Sequence, residues 1–166
     1  MFSLPAFTAN AFLSRGSTKR SVAIGHISPD CDGMHSMTEH SHITVVSGFY
    51  DALAKGDLDN LQGLLTEDVV FHVPGRGPMA RDYRGKQEVL GYLGRLAQST
   101  TGTLRLDPDD YLVGGDRVAA VLRIQGERDG RTLDDHGVQL FRIDDGKIGE
   151  RSSFPHDPYS VDEFFA

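Results

Sequence analysis

Between Glu39 and Lys55 apolar residues recur every three or four positions: Ile43, Val46, Phe49, Tyr50 and Leu53. That spacing puts them on one stripe of an amphipathic helix. Thr38 is the expected N-cap, Gly56 the stop, and Lys55 sits well against the negative end of the helix dipole. Asp57 is placed to cap a short second helix whose Leu58, Leu61, Leu64 and Leu65 face inward, closed by Thr66-Glu67-Asp68. The period then changes. Val69 to Val73, VVFHV, reads as a strand ended by Pro74-Gly75. GRGPMARDYRG follows as an irregular loop anchored by Met79 and Tyr83. Lys86 to Ala97 returns to a helical period, with Val89, Leu90, Leu93 and Leu96 as its buried stripe.

From Thr103 on, the pattern alternates. Thr103 to Leu106 is interrupted by Pro108, which suits a bulge or an edge strand, and Tyr111 to Val113 resumes it. Gly114-Gly115-Asp116 turns into Val118 to Glu127, with Val118, Ala120, Leu122 and Ile124 on one face. Asp129-Gly130 turns again into Arg131 to Phe154, two long strands folded back at Asp144-Asp145-Gly146. A three-residue loop there keeps residues 137, 139 and 141 on the face of 149, 151 and 153; a two-residue Asp145-Gly146 loop shifts the pairing by one. One face of this hairpin is mostly polar (Gly137, Gln139, Phe141, Gly149, Arg151, Ser153), the other apolar (Val138, Leu140, Ile148, Phe154). After Pro155 and Pro158, Val161 to Phe165 forms a short terminal helix or extension. Helices gathered before a meander predict an α+β fold, three helices packed on a curved, mostly antiparallel sheet.

Composition narrows the function. The chain has 166 residues, 39% hydrophobic and 25% charged, which suits one soluble domain. Its net charge of -7 argues against nucleic acid as a partner, and no apolar run approaches membrane-spanning length. A single cysteine, Cys31, leaves no internal disulfide and favours a reducing, cytoplasmic setting. Residues 1–36 stand apart. Met1 to Ser28 lacks Asp and Glu but carries Arg15, Lys19 and Arg20 among Ser, Thr and Ala. That is transit-peptide composition, which would direct the chain to an organelle. The preferred expectation is a disordered extension, with Gly25 to Gly33 as linker and residues 37–166 as the domain.

Three stretches, FYDALAKGDLDNLQGLLTEDVVFHVPG, YRGKQEVLGYL and GVQLFRIDDGKIGERSSF, occur in an order and at spacings that resemble the SnoaL-like branch of the nuclear transport factor 2-like (ketosteroid-isomerase-like) superfamily. The resemblance spans about residues 38–166. It implies a cone-shaped α+β barrel with a pocket between sheet and helices, often dimeric through the outer sheet face. It also implies a small apolar ligand, polyketide- or terpenoid-like, and, where there is chemistry, cofactor-free isomerisation, cyclisation or hydration. Family cyclases are similar to this chain through the last two strands, where a His and an acid/base Asp face the pocket. Here those positions hold Gln139 and Ser153, which do not titrate near neutral pH. The Asp that ketosteroid isomerases carry after the first strand is absent near His72-Val73-Pro74.

The candidate site follows. His72 is the candidate base, and either it or Phe71 points into the pocket, because neighbours in a strand face opposite ways. Tyr50 and Tyr83 offer phenol donors, with a core role open for Tyr50. Gln139, Ser153 and Arg151 share the pocket parity. Arg151 needs a partner there, either Asp135 or an anionic or carbonyl-bearing ligand. Asp134, Asp135 and His136 are sequential, so their side chains alternate in direction, and only Asp135 shares parity with Gln139. Asp30, Asp32, His35, His40 and His42 make a weak metal set, since residues two apart do not share a helix face. Gly75, Gly77 and Gly85 lack phosphate-loop spacing. No cofactor is expected. Val118, Ala120, Leu122, Ile124, Val138, Leu140 and Ile148 share sequence parity, and this apolar set predicts a homodimer through the outer sheet face.

Overall fold

The computed structural model describes residues 32–166, with side chains from Met37 onward. The extension, its transit-like composition, Cys31 and the Asp30, Asp32 and His35 side chains lie outside the described residues. The elements are α1 (Asp32–Lys55), α2 (Leu58–Leu64), β1 (Leu65–Val73), β2 (Arg81–Arg84), α3 (Lys86–Ser99), β3 (Arg105–Gly114), β4 (Arg117–Arg128), β5 (Arg131–Asp144), β6 (Lys147–Pro155) and α4 (Pro158–Phe165). Among the described residues four helices pack on six strands in the order β2-β1-β6-β5-β4-β3. The sheet is curved and unclosed. Only the β1–β6 pair is parallel.

Several local expectations shift. α1 begins at Asp32, so Thr38 lies inside it instead of capping it, and Asp32 and Gly33 are helical instead of linker. Nothing in the following MHSMT breaks a helix. Asp57 does cap α2, accepting from the Asn60 amide at 3.1 Å. Leu58, expected inward, is 52% exposed, and Leu61 carries the buried face of α2. The strand begins at Leu65, directly after α2, without an intervening stop. The expected loop contains β2, which pairs antiparallel with β1 and buries Tyr83. Pro108 sits on the edge strand β3, where Asp109 is the extra residue of a bulge. There its missing N–H costs no ladder bond on the open side.

Both long hairpins turn on two residues. Asp129-Gly130 and Asp145-Gly146 all have positive φ, between 48° and 78°, the geometry of a two-residue turn matched to strand twist. After the second turn, Asp144 pairs with Lys147 and Ile143 with Ile148, but Arg142 pairs with Glu150. Gly149 is therefore a bulge residue, and beyond it Phe141 faces Arg151 and Gln139 faces Ser153. The shorter loop plus one bulge restores the facing that a three-residue loop would have produced, odd residues of β5 with odd residues of β6, but with each pair shifted by two residues along β6.

This register also corrects the dimer argument. The first turn pairs Arg128 with Arg131, so even residues of β4 share a face with odd residues of β5. Val118, Ala120 and Leu122 are fully buried under the helices beside Phe141 and Gln139. Ile148 also joins this core. Val138 and Leu140 lie on the opposite face. The inner face meets Val46, Phe49, Tyr50 and Ala52 of α1, Leu61 of α2, and Val89, Tyr92, Leu93 and Leu96 of α3. Phe49 anchors the core edge-on to Tyr50, Phe71 and Phe141 at 5.6–6.0 Å.

Candidate functional site

The inner face of β5 and β6 carries its polar groups in the middle of this apolar core. Gln139, Arg151 and Asp135 are buried there although each is polar or charged. Each is tied in differently. The Tyr50 hydroxyl, on α1, donates to Gln139 Oε1 at 2.8 Å. The Tyr50 phenol is pushed well above its ordinary pKa by burial, partly offset by the nearby Arg151 charge. Arg151 lies over the Phe71 ring, 4.8 Å from its centroid, and its Nη2 donates to Ser153 Oγ at 2.8 Å. Tyr92, on α3, sits against the same guanidinium. Burial raises the Tyr92 pKa, and the Arg151 charge works against that rise. One Asp135 oxygen accepts the Asp157 amide at 3.2 Å; the other is 3.9 Å from His156.

Gln139, Arg151, Ser153 and Tyr92 open on a cavity of about 70 Å³. Its other walls are apolar, from Val73, Leu106, Leu122, Ile124 and Leu133. α4 closes it with Pro158, Val161 and Phe165. A second, wider space of about 310 Å³ lies between the C-terminal ends of α1 and α3 and strand β3, lined by Tyr50 among others. Leu96, Leu104 and Leu106 border both spaces. The Tyr50–Gln139 hydrogen bond joins a wall of one to a wall of the other.

The closing helix is firmly attached. Asp157 caps α4, accepting from the Tyr159 and Ser160 amides at 3.0 and 3.3 Å, and Pro158 follows at the first turn, where its missing N–H costs nothing. Asp162 accepts the Arg76 and Gly77 amides at 2.7 and 3.0 Å. Gly75, at φ 119°, makes room: a Cβ there would collide with the Asp162 carboxylate. Arg131 and Arg128 donate to the Glu163 and Phe164 carbonyls at 2.7 and 3.2 Å. These groups satisfy the carbonyls that a helix leaves open at its C-terminus.

The structure thus gathers Tyr50, Gln139, Arg151 and Ser153, with Phe71 beneath Arg151. It does not bring in two other candidates. Phe71 takes the inward position on β1, so His72 faces out, bonded to Asp82 at 2.7 Å and 3.5 Å from Glu150. His72 is not among the residues that line the cavity. Tyr83 is buried against Tyr92, with ring centroids 4.4 Å apart, and its hydroxyl donates to the Met79 carbonyl at 2.9 Å. It is a core residue behind the site. Asp134 pairs with Arg123 at the surface, at 2.6 Å. One contributor escaped the sequence reading, Tyr92, although its spacing from Val89 and Leu96 fits the buried stripe of α3; the terminal segment, expected as a short helix or an extension at Val161 to Phe165, is the helix α4, and its place at the cavity had no signal in the sequence. Among the described residues no group of three or more His, Cys, Asp or Glu is placed to hold a metal ion. No described helix is long and apolar enough to cross a membrane.

Comparison with known proteins agrees with this architecture. An uncharacterized protein of Mycobacterium tuberculosis (strain H37Rv) is 33% identical over 131 residues, 78% of this chain and 100% of the relative. The structure of Bal32a, from a soil-derived mobile gene cassette, superposes with a TM-score of 0.75 at 29% identity, covering 77% of this chain and 98% of that one. IdmH, a proposed polyketide cyclase from Streptomyces antibioticus, shares the fold at 23% identity and a TM-score of 0.60, over 69% of this chain and 91% of its own. The model of the SnoaL-like domain matches residues 46–151, and the chain therefore belongs to the SnoaL-like family, on the nuclear transport factor 2-like fold.

Proposed function

We propose that this protein binds a small apolar organic molecule between the curved sheet and its helices. One observation carries the reading: apolar walls enclose a few convergent polar groups, Gln139, Arg151, Ser153 and Tyr92, in a space closed by α4. Ligand sites are built this way, with an apolar lining for affinity and sparse polar groups for orientation. At about 70 Å³ the cavity is narrow, so a ligand of more than one ring requires α4 to lift or the partition at Leu96, Leu104 and Leu106 to open. A polyketide- or terpenoid-like ligand fits the apolar lining, and the shared fold of IdmH supports the same class.

The chemistry favours binding over turnover. The cavity's polar lining consists of donors and neutral groups, with no imidazole or carboxylate among them. Such a set can hold a ligand oxygen but cannot take up a proton near neutral pH. A second reading, cofactor-free acid/base catalysis, is favoured by one residue. Asp135 is buried on the pocket face of β5, one strand step beyond Gly137, which lines the cavity. There Asp135 would be the base and Arg151 the group that steadies developing negative charge.

Thermal unfolding against a panel of apolar one- and two-ring compounds tests the proposal. A true ligand raises the midpoint with concentration, since binding only the folded state stabilises it. A panel without effect up to millimolar concentration would make the cavity a packing gap and refute the reading. Turnover that is lost in Asp135→Asn, with binding kept, would establish the second reading.

A further inference from the structure

Among the described residues Arg151 is the one buried cation, only 4% exposed, and its partners are incomplete. Its Nε is buried without a hydrogen-bond partner. Nη2 donates to Ser153 Oγ, Tyr92 lies against the guanidinium, and Phe71 lies beneath it. None of these carries a negative charge. Among the described residues no carboxylate forms an ion pair with Arg151; Asp135, on the same face, is occupied with the Asp157 amide. A charge held out of water needs a counter-charge or it strongly destabilises the fold. Yet Arg151 lines the cavity, where an incoming group can reach it.

We propose that Arg151 is the docking point for a carboxylate, so that the ligand is a small organic acid with an apolar body. This rests on the pocket reading above. The guanidinium is a planar fork of the kind that grips both oxygens of a carboxylate, and its Nε–H has no partner within the protein. Ser153 accepts from Nη2, so its own hydroxyl hydrogen is free to turn toward the same group. Phe71 fixes the plane of the fork from below. The apolar part of the acid would lie along Leu106, Leu122 and Ile124, under Val161 and Phe165 of α4.

Calorimetric titration of the full chain at pH 7 with 2-naphthoate, benzoate and methyl 2-naphthoate is the test. The naphthoate should bind on the order of ten- to a hundredfold tighter than its ester, the usual gain from hydrogen bonds to a charged group. In Arg151→Met the acid should fall to the level of the ester, while the ester changes by no more than about twofold. Arg151→Met should melt no lower than the wild type, because it removes an uncompensated buried charge; a marked fall would identify Arg151 as a structural residue and overturn the proposal. Arg151→Lys, which keeps the charge but not the fork, should retain a reduced preference for the acid, and it carries the comparison if the Met variant does not fold. Acid and ester binding equally well would overturn the carboxylate inference and leave the pocket reading standing. An acid preference that survives in Arg151→Met would place the anion elsewhere and also overturn it. Failure of all three probes to bind a folded protein would remove the pocket reading and this inference together.

Discussion

The Tyr50 hydroxyl donates to Gln139 Oε1 at 2.8 Å, joining α1 to the middle of β5 across 89 residues of sequence. Both side chains are buried, so the bond is exclusive, and losing one partner strands the other. Tyr50→Phe should destabilise the protein by roughly 1–3 kcal/mol, the cost of a buried polar group left unsatisfied. Gln139→Leu in the same background should recover part of that loss, because both partners are then apolar. Urea unfolding of the single and double variants measures the coupling. Equal losses that simply add would show that the bond contributes nothing.

His72 should be dispensable for ligand binding. It pairs at the surface with Asp82, and its side chain is 37% exposed. The Asp82 carboxyl is held below the usual range, chiefly by the His72 hydrogen bond. Exposed pairs of this kind contribute little to stability. His72→Gln should leave the affinity for any pocket ligand, and any turnover, within about twofold. A loss of on the order of a hundredfold in turnover, the scale of a missing general base, would return His72 to the mechanism.

The closing helix should loosen in acid before the core does. The Asp157 carboxyl is held below its ordinary value, mainly by the Ser160 hydroxyl, then by the Ser160 and Tyr159 amides. Because its folded pKa is the lower one, the cap stabilises α4 above the ordinary carboxylate range and loses that contribution as pH falls through the depressed value. Protection of the Tyr159 and Ser160 amides from exchange, relative to their intrinsic rates at each pH, should therefore fall below about pH 4, ahead of protection at Phe141 or Ile148. Asp157→Ala should bring the same loosening at neutral pH. Simultaneous exchange of α4 and the core at every pH would count against an independently opening helix.

The protein is expected to form a homodimer through the outer sheet face, for a different reason from the one the alternation suggested. With Val118, Ala120 and Leu122 in the core, the outer face still carries Val121, Val138 and Leu140, half-buried, beside Leu112 and Phe154, exposed at 61% and 56%. Apolar groups gathered on one sheet face are a common interaction surface. Light scattering should give twice the chain mass at micromolar concentration, and Phe154→Glu should halve it. A monomeric wild type would end this expectation.

The layout of the fold was legible in the sequence because it depends on local signals. The three- and four-residue spacing of Val46, Phe49, Tyr50 and Leu53 requires a helix wherever it lies. The Asp-Gly pairs at 129–130 and 145–146 require tight turns whatever the strands pack against. Helices followed by a four-strand meander then leave few arrangements. Arg151 and Ser153 could be assigned to one face of β6 for the same reason, since alternation is a property of the strand alone; that Gln139 of β5 joins them depends on the turn and bulge between the strands.

What alternation cannot supply is which face is inside. That depends on how neighbouring strands align, and one residue of register reverses it. The two-residue turn at Asp129-Gly130 sends Val118, Ala120 and Leu122 inward with Phe141, although their numbering suggested the company of Val138 and Leu140. The bulge at Gly149 realigns Arg151 with Phe141 after a turn that alone would have misaligned them. Between Phe71 and His72 the choice falls to Phe71 because the core on that side is built of aromatic rings and Arg151 stacks above it. The lid is likewise a product of tertiary structure. Pro158 to Phe165 becomes the roof of the cavity only because Asp162 reaches the Arg76 and Gly77 amides and Arg131 reaches the Glu163 carbonyl, contacts between segments far apart in the chain.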